Sequence, residues 1–464
     1  MYCKLPPWLR AALFPEEKRS GWRSPLNKLL RMLYGKNDSG FRWDELLAEL
    51  LVAGGWERDE SISPSVWFRT VDDPSLLPDD GLEEETATVY IDDLLLQSPL
   101  DLEATHAELA AVMPLGELSD LDDGNFVGCR YVQTEAGTVC DQGDLVDALL
   151  SRFESDYAKF GCTLSVRKTD VPALDPDTFR PSDDTDVTGK FGPVAARHIM
   201  GLMYVARHSR PDLSQAIGSL ARRIAKWTKE DDRALVRLFA YLRETRDFVL
   251  LLRHGADGES GQWALFTDSD FAGDRASRRS TTGYCFGILW ESGVFSPVEW
   301  CSQVQKAVSL STAEAELRAC VDGLRSFLAT APLLRRLAGV RPGTTTEEEG
   351  VVPATHDFAM FVDSEAAILS IRAGTSTKMA YATVTPFGPE RKHAQVHLRW
   401  LHEQLCGSDL SPLRKIESRE NVADIFTKAL PVADFVRHRE RLGVGHATEA
   451  GGTVESTGGS VGQL

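Results

Sequence analysis

The chain of 464 residues lacks any apolar run long enough to cross a membrane, and its N-terminus lacks a signal-peptide pattern. These absences favour an intracellular protein, cytoplasmic or nuclear, with no membrane partner. The 8 cysteines include no C-x-x-C pair, so neither a disulfide framework nor a zinc site is indicated. A basic excess is also lacking, because the formal net charge of −18 argues against capture of nucleic acid by overall charge.

Charges of each sign are nevertheless concentrated in separate segments. Acidic residues crowd three loops, at positions 72–85, 183–186 and 347–349. Basic residues cluster elsewhere, as Arg207 with Arg210, Arg222 with Arg223 and Lys226, and Arg275 with Arg278 and Arg279. Local basic patches therefore remain available for nucleic acid, although each cluster taken singly is equally typical of a solvated helix face.

The rest of the chain is organised around the stretch from Trp263 to Ala319. Three strand-like runs are bounded by Gly, Ser or Pro, and they cover Trp263–Thr267, Gly283–Leu289 and Val294–Cys301. Ser311 and Thr312 then precede a segment of strong helix formers. This pattern predicts a three-stranded meander followed by a helix, with Asp268 at the end of the first strand and Glu314 and Glu316 on the helix.

Two acids downstream are placed to join those carboxylates. Asp363 follows the strand-like run Phe358–Val362, and Asp424 lies within the segment Asn421–Lys428. One carboxylate binds Mg²⁺ poorly, but several that converge can hold one or two ions together with water and a substrate phosphate. The acids therefore form a candidate metal site.

The ordered motifs of this region resemble the ribonuclease H domain of copia-type retrotransposon polyproteins. The matching residues are Thr267-Asp268-Ser269-Asp270 with Ala272-Gly273-Asp274, Ser280-Thr281-Thr282-Gly283-Tyr284, Trp300 with Ser302, Ser311-Thr312-Ala313-Glu314-Ala315-Glu316, Asp363-Ser364 with Ala367-Ile368, Arg391-Lys392-His393 and Ala423-Asp424-Ile425-Phe426-Thr427-Lys428. Each motif is a weak signal alone, but the probability that all of them occur by chance in this order and spacing is very small.

The resemblance implies an α/β (α+β) class and, for residues 259–442, an RNase H-like fold with a mixed five-stranded sheet and flanking helices. It also implies cleavage of RNA in RNA·DNA hybrids, with two Mg²⁺ or Mn²⁺ ions. The implied metal ligands and catalytic residues are Asp268, Glu316, Asp363 and Asp424. Glu316 is preferred to Glu314 because a hydrophobic residue follows it, as in the family, but Glu314 remains an alternative.

Nucleic-acid contacts are implied for five residues of the same region, namely Ser302, Gln303, Arg391, Lys392 and His393. An ordinary strand edge and a solvated helix end are the alternatives for these two groups. Asp270 and Asp274 are read first as turn residues. No histidine lies between Leu413 and Asp424, where many ribonucleases H carry a mobile one.

Two adjacent acids interrupt an apolar, β-prone run at Thr86–Leu96. Asp92 and Asp93 are costly inside a hydrophobic hairpin unless they are paired or bind metal. The segment resembles the Tyr-x-Asp-Asp hairpin of a reverse transcriptase palm, with an ordinary hairpin turn as the alternative. The resemblance makes both acids metal ligands near a template-primer and places a third ligand before Met1, so we expect no primer extension by this chain alone.

Four regions follow from these assignments: residues 1–130 as an incomplete palm, 131–258 as a helical thumb and connection, 259–442 as the RNase H-like domain, and 443–464 as a disordered tail. A helical segment is expected from Leu26 to about Gly54. Later helices are predicted at 313–337, kinked or split at Pro332, and at 364–372, 390–405 and 421–430. A fifth strand of the sheet is predicted at 413–417.

Two other functions stay open at this point. The chain could be a non-catalytic retroelement remnant that binds nucleic acid without turnover, since the upstream palm strand and the loop histidine are missing. It could instead be one subunit of a reverse transcriptase that another chain completes. The sequence does not determine the oligomeric state.

Overall fold

Alternating strand-like and helical patterns predict a mixed α/β protein, and a computed structural model contains several sheets flanked by helices. The structure describes residues 2–3, 27–28, 39–59, 62–71, 84–91, 93–113, 115–119, 125–164, 168–173, 188–256, 259–274, 277–337, 358–376, 392–406 and 411–446. The chain divides into two compact units, residues 1–118 and 119–464. Within the described ranges, no helix combines the length and apolarity needed to cross a membrane.

The first unit is built on a four-stranded antiparallel sheet of order β3-β4-β5-β6. Its elements are β1 (Tyr2–Cys3), β2 (Asn27–Lys28), α1 (Ser39–Ala53), β3 (Glu57–Arg58), β4 (Val66–Thr70), β5 (Glu84–Tyr90), β6 (Asp93–Gln97) and α2 (Leu102–Val112). Leu47 and Leu51 of α1 pack with Trp56 and Trp67 in its core. The helical prediction from Leu26 is wrong at β2, which pairs with β1.

The Tyr-x-Asp-Asp segment is a β-hairpin, as the sequence predicts. Tyr90 at the end of β5 pairs with Asp93 at the start of β6. Ile91 in the turn has a φ of 57°, a left-handed conformation that is unusual for a β-branched residue. Asp92 lies outside the described residues.

The second unit begins with a five-stranded antiparallel sheet of order β16-β10-β9-β8-β7. Its strands are β7 (Asn125–Phe126), β8 (Cys129–Thr134), β9 (Gly137–Asp141), β10 (Phe248–Arg253) and, from the chain's end, β16 (Val444–His446). Four helices accompany it: α3 (Gly143–Lys159), α4 (Ala195–His208), α5 (Ser214–Ala221) and α6 (Lys229–Glu244). The disorder expected from residue 443 onward is therefore wrong for Val444–His446, whose backbone completes the ladder beside β10.

A second sheet in this unit is mixed and has the order β13-β12-β11-β14-β15. Its strands are β11 (Gly261–Asp270), β12 (Thr281–Trp290), β13 (Phe295–Val304), β14 (Phe358–Val362) and β15 (Leu413–Lys415). β11, β12 and β13 form an antiparallel meander, and β14 and β15 continue the sheet parallel to β11. The five predicted strands are thus present, with β15 two residues shorter than expected.

Helices flank this mixed sheet, namely α7 (Thr312–Leu337), α8 (Glu365–Ala373), α9 (Lys392–Cys406), α10 (Asp424–Thr427) and α11 (Val432–Arg441). α7 runs through Pro332 as one helix, so the predicted split does not occur. Buried Phe327 and Ala331 anchor α7 there, which offsets the roughly 3 kcal/mol that an internal proline costs. The helix predicted at 421–430 is the short α10, and α11 was not predicted.

The two faces of the mixed sheet pack against different partners. Leu265 and Met360 face one core with residues of α7, α8 and α9. Phe266 and Cys285 face the other core, which continues into the residues of α3 to α6. The regions 131–258 and 259–442 therefore share one hydrophobic core within one unit, and the first unit ends at Leu118 instead of residue 130.

Candidate functional site

Parallel pairing of β11 with β14 brings two acids together at the carboxyl-terminal end of these neighbouring strands. Thr267 lies opposite Val362; Asp268 follows Thr267 on β11, and Asp363 follows Val362 directly after β14. Asp424, the first residue of α10, joins them. One carboxylate oxygen from each of these three aspartates lies within 4.8 Å of the other two. The three predicted aspartates therefore converge, although Asp268 and Asp363 belong to separate segments of the chain.

Contacts beneath α10 hold Asp424 against the strands. The Asn421 side chain donates a 2.9 Å hydrogen bond from Nδ2 to the carbonyl oxygen of Thr267. Gly283 on β12 permits close approach, because a Cβ at that position would lie 2.6 Å from Cγ2 of Thr427. The Thr427 hydroxyl donates a hydrogen bond to Oδ2 of Asp268. Both ends of α10 are thus tied to the central strands.

Glu316 of α7 reaches the cluster from the helix side of the sheet. Burial, together with the charges of Asp268 and Asp363, raises its pKa to about 9, although a hydrogen bond from the Ser269 amide to its carboxylate opposes the shift. Its Oε2 atom is buried without a hydrogen-bond partner. Glu314 accepts a 2.8 Å hydrogen bond from the Leu310 amide and is therefore engaged elsewhere. Glu316 is the glutamate of this helix that interacts with the aspartates.

Asp424 is similarly short of compensating contacts. Burial and the neighbouring Asp268 carboxylate together raise its pKa to about 7, against the opposing charge of Lys428. Its Oδ1 atom is buried without a hydrogen-bond partner. Crowded carboxylates of raised pKa with unpartnered oxygens are what a divalent cation would stabilise. The all-oxygen donor set suits Mg²⁺ or Mn²⁺.

Lys428 is a site residue that the sequence analysis quoted only as part of a motif. Its Nζ atom lies 3.0 Å from Oδ2 of Asp424 and 3.6 Å from Oδ2 of Asp268. Burial opposes its charge, but the two carboxylates outweigh that effect and its pKa is raised. The four-residue spacing from Asp424 was the available signal, because the single turn of α10 returns the chain at Lys428, the residue after this helix, to the side of Asp424.

Asp270 lies on the same face of β11 as Asp268, since alternate residues of a strand face the same way. Burial raises its pKa to about 6 even though a hydrogen bond from the Thr281 amide and the charge of Arg222 oppose the shift. Asp270 is the last residue of β11 and pairs with Thr281 of β12, so the reading as a turn residue after the strand is wrong by one position. Arg222, exposed just after α5, adds positive charge beside this end of β11.

The residues predicted to contact nucleic acid are only partly described. Ser302 is half-buried on β13, where a Cβ on Gly218 of α5 would lie 3.7 Å from its Oγ, whereas Gln303 is exposed. Arg391 lies outside the described residues, as do the side chains of Lys392 and His393 at the start of α9. Asp93 begins β6 half-buried. Their roles in binding nucleic acid or metal stay predictions.

No protein-family model matches the chain. It is 30% identical over 435 residues to the "Retrovirus-related Pol polyprotein from transposon TNT 1-94" of Nicotiana tabacum, a match that covers 92% of this chain and 28% of the relative. It is 24% identical over 421 residues to the corresponding polyprotein "from transposon RE1" of Arabidopsis thaliana, covering 90% of this chain and 25% of the relative.

A shorter match covers 138 residues at 33% identity, which is 30% of this chain and 92% of "Secreted RxLR effector protein 161" of Plasmopara viticola. The two long matches run over nearly the whole chain, but the chain spans only about a quarter of the length of those relatives. The chain belongs to the retrovirus-related Pol polyproteins of copia-type transposons.

Proposed function

We propose that residues 259–442 form an RNase H-like domain that cleaves the RNA strand of RNA·DNA hybrids with the help of divalent metal ions. The observation that carries this proposal is the convergence of three aspartates, with Glu316 beside them. Asp268, Asp363 and Asp424 meet at the carboxyl-terminal end of the central strands of a mixed sheet of order β13-β12-β11-β14-β15. Membership of the Pol polyproteins supports an enzyme that acts on nucleic acid.

Hydrolysis of a phosphodiester needs an activated water, a stabilised leaving oxygen and neutralised phosphate charge. Two Mg²⁺ or Mn²⁺ ions, when bound, supply that chemistry. Asp268, Glu316, Asp363 and Asp424 are the residues that would hold them. The fold must keep these acids close although their charges repel. Asp268 and Glu316 are held there because both are buried on packed elements, β11 and α7.

Supporting bonds orient the ligands before any cation arrives. The Thr427 hydroxyl fixes Oδ2 of Asp268, and the Ser269 amide holds Glu316. The raised pKa values of Glu316 and Asp424 mean that both carboxyls release protons when a cation binds. Cation binding at this site should therefore strengthen as pH rises towards 8.

Binding of a hybrid must depend on local positive groups, because the net negative charge of the chain repels polyanions. Lys415 lies beside the cluster, with its Nζ donating to the backbone oxygen of Asp363. Arg222 is an exposed side chain near Asp270 at the same end of β11. These cations, with exposed Gln303 on β13, place positive and polar groups near the acids, where backbone phosphates would be held.

A digest of a labelled RNA·DNA hybrid by the purified full chain tests the proposal. We expect Mg²⁺- or Mn²⁺-dependent cleavage of the hybrid but not of single-stranded RNA. Asp268→Asn should lower the rate by roughly 100-fold or more, because a lost metal ligand removes several kcal/mol of transition-state stabilisation. Asp434→Asn makes the same change in a surface residue paired with Arg437 and should leave the rate unchanged. Equal activity of wild type and Asp268→Asn would overturn the assignment.

A further inference from the structure

Lys428 contacts the carboxylate cluster at the oxygens that a cation would use. Its Nζ atom lies between Oδ2 of Asp424, at 3.0 Å, and Oδ2 of Asp268, at 3.6 Å. Across the part of the chain that the structure describes, it is the only cationic side chain paired with the carboxylates of Asp268, Glu316, Asp363 or Asp424. Lys415 also lies beside the cluster, but its Nζ donates a hydrogen bond to the backbone oxygen of Asp363 and not to a carboxylate.

The cluster needs such a cation when no metal is bound. Asp268 and Asp424 are 2% and 6% exposed, and buried like charges repel strongly unless they are neutralised. The ammonium group of Lys428 supplies one positive charge to both of them. A divalent cation needs the same oxygens, and it cannot share them with the ammonium without bringing two positive centres into close contact.

Lys428 is also able to leave. Its side chain is 42% exposed, whereas the two aspartates are almost completely buried. Four flexible methylene groups let a lysine ammonium reach solvent without movement of the backbone. The site thus has a fixed anionic part and a removable cationic part.

We propose that Lys428 is a built-in counter-cation that competes with divalent metal ions for Asp268 and Asp424, and so sets the metal concentration at which the site fills. This inference deepens the proposed function and rests on the same carboxylates binding metal. It assigns Lys428 a positioning role in the metal-free protein, with departure from the cluster as the step that accompanies metal binding.

Calorimetric titration of the full chain with Mg²⁺, and separately with Mn²⁺, in the absence of nucleic acid tests this role. Lys428→Met removes the charge and keeps the length of the side chain. We expect its half-saturating metal concentration to fall roughly two- to five-fold, the upper part of the range for losing one partly exposed competing ion pair. Lys415→Met makes the same change beside the cluster and should differ from wild type by less than about two-fold. Equal or weaker metal binding by Lys428→Met would overturn the proposal.

A measurement on the wild-type chain covers the case in which Lys428→Met does not fold. Amine acylation of each lysine, followed by mass spectrometry, reports whether the Lys428 ammonium is held. Labelling of Lys428 should accelerate several-fold when Mg²⁺ is added, while labelling of Lys415 stays constant; an unchanged Lys428 rate would contradict displacement. If the wild-type chain binds no divalent ion at all, the proposed nuclease fails, whereas metal binding without a Lys428 effect sinks this inference alone.

Discussion

Asn421 donates a 2.9 Å hydrogen bond from its side-chain nitrogen to the backbone oxygen of Thr267, a residue 154 positions earlier. Both partners are completely buried. The bond joins the loop before α10 to the strand that ends in the first acid, so it fixes Asp424 relative to Asp268. Because its side-chain amide bonds the backbone at Thr267 and at Ala423, Asn421 is a positioning residue for Asp424.

Asn421→Ala should therefore weaken both the fold and the metal site. The change leaves the Thr267 oxygen buried without a donor, which costs about 1–3 kcal/mol of unfolding free energy. We expect a lower urea midpoint and weaker Mg²⁺ binding, because Asp424 is no longer held against β11. A variant that matches wild type in both measurements would show that the contact does not position the acid.

Stability of the metal-free protein should fall as pH rises, because of Glu316. Its pKa is about 9 in the folded chain against an ordinary value of 4.5, so the folded state holds a proton that the unfolded state releases. The contribution of Glu316 to the free energy of unfolding is fully present below pH 4.5 and is lost progressively up to about pH 9. Urea unfolding in EDTA across this window measures the slope.

Glu316→Gln should flatten that slope and raise the stability at pH 8 by on the order of 2 kcal/mol, because the amide folds without the proton uptake that the wild-type carboxyl needs at this pH. The same variant should lose the stabilisation that Mg²⁺ gives the wild type. Glu314→Gln is the matched control on the same helix, where the carboxylate pairs with Arg318, and it should keep the pH slope. An unchanged slope in Glu316→Gln would contradict the assignment of the buried proton.

Gly443→Ala tests whether β16, the last strand among the described residues, belongs to the folded unit. Gly443 has a φ of 80°, and a Cβ there would lie 2.2 Å from the backbone oxygen of Leu251 on β10. We expect a loss of about 2–4 kcal/mol, from positive φ and from separation of β16. Gly293→Ala, at a φ of 85° with open space around it, should lose only about 1 kcal/mol. Equal losses in thermal unfolding would mean that β16 adds no stability.

Ile91→Asn should stabilise the hairpin of the first unit. Ile91 has a φ of 57°, which a β-branched residue adopts at a cost of about 1–2 kcal/mol and asparagine adopts more easily. Amide hydrogen exchange in β5 and β6 should slow by about three-fold or more. Thr88→Asn, within β5, should have the opposite effect. Faster exchange in Ile91→Asn would show that the turn is not strained.

The sequence by itself determined the identity of the acids and the strands that carry them. Phe358–Val362 was predicted with the bounds that the structure gives, and Asp363 follows it because an apolar run ends there. Hydrophobic periodicity and the turn residues are local properties, and they predict local elements. The order and spacing of short motifs then identified the family, which the long matches to Pol polyproteins support.

Tertiary structure alone decided which groups surround those acids. The position of Lys428 between Asp268 and Asp424, the bond from Asn421 to Thr267, and the fusion of residues 131–258 and 259–442 around one core depend on contacts between segments far apart in sequence. The strand at Val444–His446 has no strong β pattern of its own and forms because β10 offers an edge. Such contacts form only after packing has fixed the relative positions of the elements, so no local pattern encodes them.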